Sequence, residues 1–67
     1  MLKVEIDREE DGRWLAEVPD LPGVTASGKT EAEARTRVAA LAFRVIAERL
    51  EQDEPAPIDT RDFFITA

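Results

Sequence analysis

Between Pro19 and Thr30 the chain reads Pro-Asp-Leu-Pro-Gly-Val-Thr-Ala-Ser-Gly-Lys-Thr, and little freedom is left to the backbone there. Pro19 and Pro22 each fix φ and remove an amide donor, so no regular sheet ladder runs through both. Gly23 and Gly28 are read as points of backbone freedom on either side of a short β-prone piece, Val24-Thr25-Ala26. Pro22 and Gly23 suit the centre of a type II turn. Thr30 has the chemistry of a helix N-cap, and Glu33 three residues later completes a capping box. The stretch therefore ends one strand, turns a corner, lays down another strand and starts a helix.

The flanking segments follow from this corner. Leu2, Val4 and Ile6 alternate with Lys3, Glu5 and Asp7, the period-two pattern of a strand with one buried face. Arg8 to Gly12 is polar and ends in Asp11-Gly12, a hairpin connection. Trp14, Ala16 and Val18 form the inner face of a second strand, with Leu15 opposite, and Val24 to Ser27 form a third. The helix is expected from Glu31 to about Gln52, since alanine, arginine, glutamate and leucine dominate it. Ala34, Val38, Leu41, Ala42 and Val45 share one face, and Ala39, Phe43, Ile46 and Leu50 form a second stripe beside it. Together they span roughly 200°, more than a helix lying on one small sheet requires. The second stripe is expected to pack on another molecule. Arg44 and Glu48 are spaced for an ion pair on the polar side. Pro55 and Pro57 make an extended connector, and Thr60 to Thr66, with Phe63, Phe64 and Ile65, is expected to be a fourth strand. The predicted fold is α+β, in the order β-β-β-α-β: a small antiparallel sheet with one helix across one face.

The chain has 67 residues and no cysteine or histidine. A chain this short buries only about 60% of its unfolded surface, and neither disulfides nor the commonest metal ligands are present to reinforce it. Self-association, as a dimer or tetramer, is the expected reinforcement. No apolar run approaches the roughly 20 residues that span a bilayer, so a cytoplasmic location without a membrane partner is expected. A net charge of −6 opposes binding to phosphates. Acids concentrate in residues 1–20 and 48–62, whereas Lys29, Arg35, Arg37 and Arg44 outweigh Glu31 and Glu33 between them. Arg35 and Arg37 are read as partners of neighbouring glutamates, and direct nucleic-acid binding is not expected.

Catalysis has little to work with. Glu5, Asp7, Glu9, Glu10 and Asp11 cluster in sequence, but Glu5 and Asp7 lie on the outward face of a strand and the rest on a hairpin. Gly23 and Gly28 with Lys29-Thr30 faintly resemble a phosphate loop, a reading set aside because the helix start already has its cap. No catalytic residue, metal site or cofactor is assigned.

Pro19-Asp20-Leu21-Pro22-Gly23, then Gly28, Thr30, Glu33 and Ala34, with Asp11-Gly12, Ala16 and Val18 before them, resemble the N-terminal domain of HicB antitoxins over about residues 1–57. The resemblance implies a β-β-β-α-β fold likened to a partial ribonuclease H domain without its catalytic carboxylates. It also implies self-association and binding to a small basic HicA-type toxin, an mRNA interferase, by covering its active site. The chain is then expected to be a single domain over residues 1–67, a stand-alone form without the C-terminal DNA-binding domain that the family usually carries. Ala39, Phe43, Ile46, Leu50 and Phe64 are the expected self-association residues, and Asp20, Asp53 and Glu54 the expected toxin contacts. Pro19, Pro22, Gly23, Gly28, Thr30 and Glu33 are the turn and cap residues. An oligomeric structural or ligand-binding domain of the same fold, without a toxin, is the alternative.

Overall fold

Alternation, turn chemistry and capping each produce the element that they favour. The structure, a computed structural model, describes residues 2–65. Strands β1 (Glu5–Arg8), β2 (Trp14–Glu17) and β3 (Thr25–Gly28) form an antiparallel sheet in that order, followed by helix α1 (Glu31–Glu51). The fold is α+β, with the helix lying over β3 and β2 rather than over β1. Ile6, Ala16 and Ala26 stand in one row across the sheet on the face beneath the helix. On the other face Glu5 is opposite Glu17, a like-charge pair that weakens the sheet slightly.

Each connection is set by a few local bonds. In the first hairpin the Gly12 amide donates to the Glu9 carbonyl (3.0 Å), and the Asp11 carboxylate accepts from the Arg13 amide (3.0 Å). Arg8, expected in that hairpin, instead ends β1, and its guanidinium lies 5.6 Å from the Trp14 ring centroid. The β2–β3 corner consists of two consecutive turns. The Leu21 amide donates to Val18 O and the Val24 amide to Leu21 O, both at 3.0 Å. Gly23, at φ 83°, takes the third position of the second turn, where a type II turn requires positive φ. Leu21 is thereby pulled into the core at 1% exposure.

Gly28 is needed for a different reason from the one expected. Its φ is not positive; the start of α1 sits against it, and a Cβ there would lie 2.6 Å from the Ala34 amide nitrogen. Thr30 caps the helix by accepting from the Glu33 amide (3.0 Å), while the Glu33 carboxylate reaches past the cap residue to the Lys29 amide (3.4 Å). At the other end, Glu54 N donates to Arg49 O and Asp53 N to Leu50 O, a Schellman closure with Asp53 at φ 60°. The core consists of Ala16, Val18, Leu21, Val24, Ala34, Val38, Ala42 and Ile46. Burying each of its larger aliphatic side chains contributes about 1.5–3 kcal/mol. Trp14, Ala56 and Ile58 pack against this cluster from its margins.

Two expectations are corrected. The fourth strand is not formed over residues 60–65; Thr66 lies outside the described residues. Instead Thr60–Asp62 is a 3-10 turn capped by Asp59, whose carboxylate accepts from the Arg61 amide at 2.9 Å. The amides of Asp62, Phe63 and Phe64 bond back to Asp59 O and Thr60 O, so the donors that a ladder would use are spent locally. The Arg44–Glu48 pair is also not made; Glu48 accepts from the Gln52 side chain instead.

Candidate functional site

At about 1.5 Å per residue a 21-residue helix is about 31 Å long, and a four-residue strand spans only about 13 Å. The C-terminal half of α1 therefore overshoots the sheet, and the molecule measures 48 × 21 × 14 Å. Under the overhang, on the β1 side, lies an open groove of about 450 Å³. Leu2, Val4 and Val18 form its floor, Ala39, Phe43, Ile46 and Leu50 one wall, and Ile58, Phe63 and Phe64 the other. Among the described residues, Thr60 is the single polar side chain that lines it.

The expected self-association residues separate here. Phe43 (63% exposed), Leu50 (44%) and Phe64 (73%) present apolar surface to solvent, and Ala39 is half-buried at the groove wall. Ile46 is only 4% exposed and belongs to the protein's own core, so it is not surface available to a second molecule. The register of α1 on the sheet decides this: the buried row runs Ala34, Val38, Ala42, Ile46 in steps of four. Reading the sequence missed Ala40 and Ala47, which stay exposed beside Phe43. Their signal is a spacing of four and three around Phe43, visible once Ile46 is assigned inward.

The charged candidates do not converge. Asp20 is exposed in the β2–β3 corner, Asp53 and Glu54 are exposed at the helix end, and no hydrogen bond or ion pair joins Asp20 to either. Asp53 and Glu54 also close the helix through their amides. Arg35 pairs with Glu31 (3.2 Å) and Arg37 with Glu33 (2.9 Å), as the spacing predicts. Arg37 also donates to the Ser27 carbonyl (3.0 Å), tying α1 to the outer edge of β3. Beside Thr60, Arg61 grips Asp59 at 2.7 Å. That bond holds the Asp59 carboxyl below its ordinary range and raises Arg61.

Two chemical readings can be checked against this geometry. Gly23-x4-Gly28-Lys29-Thr30 meets the formal spacing of a phosphate loop. Here, however, Thr25–Gly28 is paired with β2, and Thr30 and Glu33 already occupy the Glu33 and Lys29 amides. No anion cradle remains. Among the described residues, no three acidic, histidine or cysteine side chains come together as a metal cluster, and no helix is long and apolar enough to cross a membrane.

No family model, curated protein or solved structure matches the chain.

Proposed function

We propose that the chain is a HicB-type antitoxin domain, a self-associating cytoplasmic protein that binds a small basic mRNA interferase and covers its active site. The observation that carries a binding role is the exposed apolar surface of Phe43, Leu50, Phe63 and Phe64 around an open groove, on a body of net charge −6. Exposed aromatics grouped at one place on a small domain mark interaction surface. The choice of toxin rests on the resemblance carried by the Pro19–Ala34 motif stretch. Asp20, Asp53 and Glu54 supply exposed carboxylates for a basic partner; electrostatic complementarity of this kind speeds encounter and selects partners.

Co-expression with the neighbouring genes, followed by pull-down, tests the reading. The expected result is co-purification of a small basic protein whose RNA cleavage is suppressed in the complex. If no neighbour binds, or RNA cleavage continues in the complex, the antitoxin reading is wrong. The groove itself favours the alternative, a ligand-binding domain of the same fold, and an apolar small molecule carried through purification would then be found in it.

A further inference from the structure

The exposed side of α1 carries a second periodicity that its packing on the sheet does not use. Thr36, Ala40, Phe43, Ala47 and Leu50 follow one another at steps of four, three, four and three, and all are exposed. That is the spacing of a helix–helix seam, whereas the row facing the sheet steps by four. Large residues at Phe43 and Leu50 alternate with small ones at Ala40 and Ala47, so a second helix can approach closely at the small positions.

The molecule as a whole also exposes more surface than a compact monomer of its mass. A 7.5 kDa monomer exposes about 4,200 Å² by the usual scaling, yet this chain exposes 5287 Å². The surplus of about 1,000 Å² compares with the roughly 800 Å² that each partner buries in a standard interface. The Cα radius of gyration agrees: 13.6 Å, against about 11 Å for a compact domain of this length.

We infer that the occupant is a second copy of this chain, with the two α1 helices packed antiparallel across Ala47. In that arrangement Phe43 meets Leu50 of the partner subunit, and Arg44 comes opposite Glu51 of the partner subunit, twice by symmetry. Within one chain neither Arg44 nor Glu51 has a side-chain hydrogen bond or ion pair among the described residues. A parallel arrangement would instead set each Arg44 beside its own copy. Pairing through the free edge of β1 is disfavoured, because in an antiparallel β1 pair Glu5 and Asp7 would meet carboxylates of the other copy on one face.

This inference rests on the self-association part of the proposed function and assigns its surface; the toxin is not involved. Sedimentation equilibrium across a dilution series tests it. Wild type is expected to be dimeric, or a tetramer built from this dimer, and Ala47→Arg to remove the seam contact. Because Ala47 is exposed, that variant keeps its fold, which circular dichroism checks, and because it lowers the net negative charge, general repulsion cannot explain a loss of mass. Arg44→Glu should weaken association about tenfold, and Arg44→Glu with Glu51→Arg should restore it. A wild-type monomer at every concentration would overturn both this inference and the self-association reading. An assembly whose mass is unchanged by Ala47→Arg would overturn the seam alone, and failure of the double charge reversal to restore association would overturn the antiparallel orientation.

Discussion

Replacing Gly28 with alanine adds one methyl group where β3 hands over to α1. Its Cβ would sit 2.6 Å from the Ala34 nitrogen and 3.0 Å from the Glu33 Cβ. The nearer atom is backbone, so relief requires the first turn of the helix to retreat, although Ala34 is fully buried and its amide makes the first helical bond to Thr30 O (3.1 Å). Overpacking of this kind costs about 1–3 kcal/mol, and the lower entropy of the unfolded chain returns about 0.4–1 kcal/mol. The net loss is about 1–2 kcal/mol, out of about 3–10 kcal/mol available to a domain of this length. Urea and thermal unfolding, at one fixed protein concentration because association shifts the midpoint, should show Tm lower by about 4–8 °C per kcal/mol. Gly12 is the comparison, since it has φ 88° and nothing within 4 Å of an added Cβ. Asparagine, which tolerates positive φ, should be better than alanine at Gly12 and worse than alanine at Gly28. A Gly28→Ala protein as stable as wild type would refute the close approach of helix and strand.

Asp53→Gly should raise stability by about 0.5–1 kcal/mol, because Asp53 holds φ 60° at the helix end, where glycine carries no steric penalty; thermal unfolding that shows a loss would mean its side chain does more than occupy the turn. For Asp59, an NMR titration should give a carboxyl pKa below the ordinary value of about 3.9, and Arg61→Gln should move it back up. Because the folded-state value is the lowered one, the favourable contribution is present above the ordinary carboxylate range and is lost as pH falls through the folded value. An exposed pair of this kind leaves global stability nearly unchanged at neutral pH.

The features legible in the sequence were those whose physics closes within a few residues. Pro22 and Gly23 specify their turn through φ alone, Thr30 caps the helix with its own hydroxyl, and the alternation of Leu2, Val4 and Ile6 sorts inward from outward side chains, although the ladder itself begins only at Glu5. The three strands and the limits of the helix follow from such terms. Of the candidate site, Phe43 and Leu50 were legible as apolar residues in excess of what a small sheet can cover. The tertiary structure decided what depends on distant partners. It took Ile46 into the core and left Ala47 outside, because the rotation of a helix is fixed by the sheet it meets and not by its own sequence. It gave Gly28 its reason, the approach of a backbone six residues away. It also left the aromatic run after Thr60 without a ladder, since an apolar strand needs a free edge within reach, whereas the Thr60 carbonyl offered the Phe63 and Phe64 amides a partner at once.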